Sequence, residues 1–138
     1  MQQPEQQRAH LTHQWLAKAD RDLLAAERAL EGSPSLRDAA TFHWQQAAEK
    51  PLKAYLTWHD QLFRRSHNLL YLVEECETVD LDVAQLREAA AELNPYSTEF
   101  RYPGDVEEPS SEAADRAGRV AREVVQFIKV HLPEDIHR

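Results

Sequence analysis

Apolar residues recur at intervals of three and four through most of this chain, the spacing that stacks side chains on one face of a helix. Trp15, Leu16, Ala19, Leu23, Ala26 and Leu30 predict a first helix from Glu5 to Leu30, stopped by Gly32, Ser33 and Pro34. A second helix is predicted from Ser35 or Leu36 to about Trp58, with a serine cap and Asp38 in its first turn. On that helix Trp44, Ala47, Ala48, Leu52, Ala54, Tyr55 and Trp58 cover an arc wide enough to suggest more than one neighbour, such as a bundle core and a second subunit. Pro51 predicts a kink rather than a break, because the apolar period stays in phase on both sides.

Ser66 is a candidate cap for a third, shorter helix in which Leu69, Leu72, Val73 and Cys76 share a face. After a turn at Thr78 to Asp80, an acidic helix is expected from Asp82 to Leu93, ended by Asn94 and Pro95. No period survives from Tyr96 to Pro109, which reads as a loop. Ser110 or Ser111 then caps a last helix carrying Ala113, Ala117, Val120, Val124, Phe127 and Ile128 on one face. The sum is an all-α, up-and-down four-helix bundle with an additional short helix. It is expected to form one domain over residues 8–132, with residues 1–7 and 133–138 as flexible termini.

Composition sharpens this picture. Three glycines in 138 residues leave little for hairpin turns, so a sheet is disfavoured. The net charge of −8 works against unspecific attachment to nucleic acid or anionic membranes. Lys50, Lys53, Arg64 and Arg65 nevertheless make the middle of the chain locally basic. One cysteine, Cys76, allows neither a disulfide framework nor a cysteine-based zinc site. No apolar run is long enough to span a bilayer and Met1 to Gln7 lack a signal-peptide layout, so a cytoplasmic address is expected. Seven histidines occur, but Glu-x-x-His appears only at Glu134 to His137, so no metal is expected. No glycine-rich phosphate loop exists, and no cofactor is expected.

Three clusters carry candidate chemistry. His43, Gln46, Lys50 and Lys53 form a polar stripe on the second helix; the ordinary alternative is a solvated face of good helix formers. Arg64, Arg65 and His67 stand at a helix start, where a phosphate also meets free backbone N–H groups. Their ordinary role would be to tie down the interhelix loop. Phe100, Arg101, Tyr102 and Pro103 lie in the long loop, ordinarily as an aromatic plug. The binding candidates are therefore His43, Gln46, Lys50, Lys53, Arg64, Arg65, His67, Arg101 and Tyr102.

Taken in order, these motifs resemble the HEPN domain family. Its members carry His-x-x-Gln-Ala-x-Glu-Lys-x-Leu-Lys-Ala on the second helix, matched by His43, Gln46, Ala47, Glu49, Lys50, Leu52, Lys53 and Ala54. A basic-x-His-x-Leu segment is matched by Arg65, His67 and Leu69, and an Arg-Tyr-Pro by Arg101, Tyr102 and Pro103. The resemblance implies a bundle of four to five helices that commonly forms a homodimer. It also implies pairing with a small nucleotidyltransferase, sometimes as toxin and antitoxin, and nucleotide or RNA binding. Some branches are metal-independent ribonucleases that set an Arg and a His four to six residues apart at a dimer cleft. This chain departs from that pattern, because two residues separate Arg64 from His67 and one separates Arg65 from His67. Suitable spacing occurs at Arg8 with His13 and Arg37 with His43, outside the expected element. No residue is nominated as catalytic outright; Arg37, His43 and His67 are the candidates on which a ribonuclease toxin would draw. The leading expectation is a dimeric, non-catalytic partner protein. The alternatives are that ribonuclease and a helical interaction module without a ligand.

Overall fold

The computed structural model describes residues 4–97 and 108–136. Among these it holds five α-helices and no strand: α1 (Glu5–Glu31), α2 (Arg37–Trp58), α3 (Leu69–Glu77), α4 (Arg87–Leu93) and α5 (Ser111–Val130). Short 3-10 turns cover Leu81–Leu86, Asn94–Ser97 and Glu134–Ile136. The architecture is the all-α bundle that the apolar period predicts. α2 lies at its centre, packed along α1 and against α5 and α3.

α1 and α2 are antiparallel, so that Arg8 Nε near the start of one donates to the Trp58 carbonyl at the end of the other. The irregular segment 59–68 then makes the return journey. α3 therefore sets out in the same sense as α2, with His67 meeting Gln45 and Glu49, and Cys76 meeting the Leu52 carbonyl. α4 reverses direction, tied back by Arg87 to Glu77 at one end and by Asn94 to Asn68 at the other. α5 runs antiparallel to α1, since Arg122 pairs with Glu27 and Lys129 with Asp20.

The wide apolar arc of α2 is accounted for inside one chain. Trp44 is buried, and it meets α5 so closely that a Cβ on Gly118 would stand 2.9 Å from its ring. Leu52, Leu56, Leu69, Leu72, Leu93 and Ile128 fill the rest of the common core. α2 passes through Pro51 without interruption, as the continuous apolar period requires.

Four ends differ from expectation. Ser35 does not cap α2; its hydroxyl donates to the Leu30 carbonyl at 2.7 Å and closes α1 instead. The free amide at the head of α2 goes to the Glu108 carboxylate, and Leu36 occupies the cap position without a side-chain bond. α3 is capped by Asn68, whose Oδ1 accepts from the Leu70 and Tyr71 amides, while Ser66 braces the Asn68 amide. The helix expected over Asp82 to Leu93 divides into a 3-10 turn and α4, because Asp80 caps the Asp82 amide first. The tail expected to fray instead turns back and buries Ile136.

The end of α2 shapes the candidate site. Asp60 stands at φ 56°, and the Gln61 and Asp60 amides donate to the Leu56 and Thr57 carbonyls. This is the helix-ending arrangement usually given to glycine, and Asp is one of the few side chains that tolerate it. The tight reversal sends residues 61–67 back along α1 and α2, which delivers His67 to Glu49.

Candidate functional site

The polar stripe of α2 is not a freely solvated face: Lys53 is buried and His43, Gln46 and Lys50 partly so, beside the fully buried Gln45 and Glu49. A buried charge is stable only with a partner, and each lysine has one. Lys50 Nζ donates to Asp22 Oδ2 at 3.1 Å and to Gln46 Oε1 at 3.0 Å. The same Asp22 accepts from His43 Nδ1 at 2.9 Å. Lys53 Nζ donates to Glu49 Oε2 at 3.0 Å, and Glu49 Oε1 accepts from His67 Nδ1 at 2.9 Å.

Two carboxylates thus each hold one lysine and one histidine. Two glutamines join the halves: Gln46 Nε2 donates to Gln45 Oε1, and Gln45 Nε2 donates to the His67 carbonyl. Asp22 comes from α1, Glu49 from α2 and His67 from the approach to α3, so one network ties three elements together. Lys53 also lies over the Trp15 ring, 5.5 Å from its centroid. Beyond Trp15 an open cleft of about 340 Å³ runs between Leu11, Thr57, Leu62 and Phe63.

The sequence candidates divide accordingly. His43, Gln46, Lys50, Lys53 and His67 come together in the network. Arg64 lies beside it, with its guanidinium 4.2 Å from the Tyr71 ring centroid and its amide donating to the Tyr71 hydroxyl. Arg65 is exposed and without a partner among the described residues. Arg37 lies elsewhere: its Nε donates to the Pro109 carbonyl and its guanidinium pairs with Glu108, which pins the end of the long loop to the head of α2. No hydrogen bond or ion pair joins Arg37 to His43. Arg101 and Tyr102 lie outside the described residues.

Sequence reasoning left out Asp22, and it treated Glu49 only as part of a motif. Both had a signal. Asp22 falls in phase with the buried Ala19 and Ala26, and Glu49 stands four residues after the buried Gln45. An acid on a core-facing stripe announces a buried partner.

Glu49 fixes the Nδ1–H form of the His67 imidazole and leaves Nε2 turned outward. The His67 side chain is 69% exposed while that of Glu49 is 2% exposed. A carboxylate that orients an imidazole in this way prepares it to exchange a proton or to meet an anion. Arg64 and Arg65 add positive charge at the same place.

The geometry defines an all-α domain built round a buried, charge-balanced seam with a basic edge. The HEPN domain profile matches residues 12–131, and the chain belongs to that family. Its fold is similar to that of TT1696 from Thermus thermophilus, with a TM-score of 0.75 and 28% sequence identity, covering 88% of this chain and 98% of the other. It is also similar to ST0689, described as an archaeal HEPN homologue, with a TM-score of 0.65 and 25% identity, covering 87% of this chain and 96% of that one. No curated protein sequence matches the chain. Among the described residues no helix is long and apolar enough to cross a membrane.

Proposed function

We propose that this HEPN-domain chain acts as the dimeric partner of a small nucleotidyltransferase, in a toxin–antitoxin-like pair. In this reading it meets nucleotide or RNA phosphate with the edge formed by Arg64, Arg65 and His67. The observation that carries the phosphate contact is the charge balance of the seam. Lys50 and Lys53 are matched by Asp22 and Glu49, so they act as frame rather than as ligands. The positive charge left facing outward gathers at the approach to α3. His43, Gln46, Lys50 and Lys53 then serve by holding His67 in place, and Arg101 and Tyr102 are candidates for a second contact.

Fluorescence anisotropy with labelled single-stranded RNA and with a labelled adenine nucleotide tests the contact. Arg65→Glu is expected to weaken binding roughly tenfold or more, the worth of one hydrogen bond to a charged group. Unchanged binding would remove the phosphate contact from the proposal. Light scattering tests the dimer, and a monomer at all concentrations would count against it.

The Glu49–His67 pair favours a second reading, a metal-independent ribonuclease of the same fold. There His67 would move the proton of a ribose hydroxyl while Arg64 or Arg65 steadies the phosphate. RNA cleavage abolished by His67→Ala, and shifted in pH profile by Glu49→Gln, would place this reading first. A wild type that cleaves no RNA, freed of any partner, would end it.

A further inference from the structure

A second group of chemically capable side chains lies at the other end of the bundle, away from the seam. Asp80 and Asp82 stand where α3 hands over to the 3-10 turn, and His131 stands just past the end of α5. One donor atom from each lies within 4.8 Å of the other two. They come from segments far apart in the sequence, so this is not a local run of acids. We propose that they bind a divalent first-row transition cation of the zinc class, a site that neither the sequence motifs nor the proposed function invokes.

The state of each donor supports this assignment. His131 Nδ1 donates to the Phe127 carbonyl at 2.8 Å, which fixes the tautomer and leaves the Nε2 lone pair free. The ring is held flat on Phe127, with centroids 4.1 Å apart and planes 15° apart. A metal-bound histidine is oriented in this way, its other nitrogen held by a carbonyl or carboxylate. Asp80 is held in turn by accepting the Asp82 amide, and the Asp82 carboxylate is exposed and caps nothing.

The charge is unmatched. Asp20, Asp22, Glu27, Glu49, Glu77 and Glu92 each pair with a lysine or arginine, whereas Asp80 and Asp82 pair with none among the described residues. Two carboxylates and an imidazole together offer three donors to a cation. Imidazole with carboxylate suits zinc, cobalt or manganese. Bonds of about 2.0–2.2 Å require the donors to close by about 1 Å, a side-chain movement open to Asp82. Three protein ligands would leave positions for water.

Titration of the intact chain with Zn²⁺ by calorimetry, and with Co²⁺ by visible absorption, tests the site. One cation per chain is expected, with affinity falling about tenfold or more in both Asp82→Asn and His131→Gln. Asp82→Asn removes no hydrogen bond that the fold uses, so its result stands even if His131→Gln unfolds. Absence of binding, equal binding by the Asp82→Asn chain, or loss of binding in a His10→Ala/His13→Ala chain would each overturn the assignment. None of these results depends on nucleotidyltransferase or RNA binding, so the site and the proposed function fail separately.

Discussion

Replacing Lys53 by Met tests whether the seam is a framework of matched charges. The Lys53 and Glu49 side chains are 10% and 2% exposed, and their charged atoms lie 3.0 Å apart. At that distance and an effective dielectric near 20, the gross attraction is about 5–6 kcal/mol. Most of it offsets the cost of taking both ions out of water, so the pair's net worth is small. Removing one member is different, because the other is left buried and charged. Such a loss typically costs about 3–5 kcal/mol, and here the lower end is expected, since His67 still donates to Glu49. Lys53→Met should therefore lower the unfolding free energy by about 3 kcal/mol in urea denaturation, with the slope unchanged. Glu49→Gln should cost a similar amount by stranding Lys53. The double variant should recover about 2 kcal/mol relative to the sum of the two. A Lys53→Met cost below about 1 kcal/mol, or costs that simply add, would refute the framework reasoning.

Three further outcomes follow from the packing. Gly118→Ala should destabilise the fold by about 1–2 kcal/mol in the same assay, because overpacking against Trp44 outweighs the gain in helix propensity. The Cys76 thiol is pushed up to about 12 by burial and then by the Glu75 and Glu77 carboxylates. Native protein at pH 8 should accordingly react with iodoacetamide about a thousandfold more slowly than urea-unfolded chain. Burial lowers the His59 imidazole below its ordinary range, and Asp80 only partly restores it. The unfolded chain then binds the extra proton first, so this stability is present above about pH 6.5 and is lost as pH falls through the folded value. Wild type should lose more stability than His59→Phe between pH 7 and pH 5, and parallel losses would contradict the assignment.

Much of the fold was legible because helices declare themselves by period. α5 appears with its face and its Ser110 cap as expected, and α1 ends within a residue of the forecast. Two of the helix starts also depend on contacts distant in sequence. Glu108 serves the head of α2, Asn94 supports the head of α3, and neither is visible from local pattern. The wide arc of α2 serves more than one neighbour, and α1, α3 and α5 of the same chain supply them. Trp44 is consequently not an exposed interface aromatic, and the proposed dimer would rest on other surfaces.

The site was legible in composition and not in state. The residues His43, Gln46, Lys50, Lys53 and His67 do converge. Their charges looked free because the matching acids sit on another helix or within the apolar arc itself. Asp22 is brought to Lys50 by the α1–α2 packing, and Glu49 to His67 by the reversal at Asp60. The Asp80, Asp82 and His131 group had no spacing signature at all, since only the folded chain brings His131 to the two acids.

The most direct test of the proposed function is to purify the tagged chain from its native host at moderate salt and identify what accompanies it. A small nucleotidyltransferase recovered in near-equal amount is the result the account predicts. A homodimer recovered without nucleotidyltransferase would contradict it.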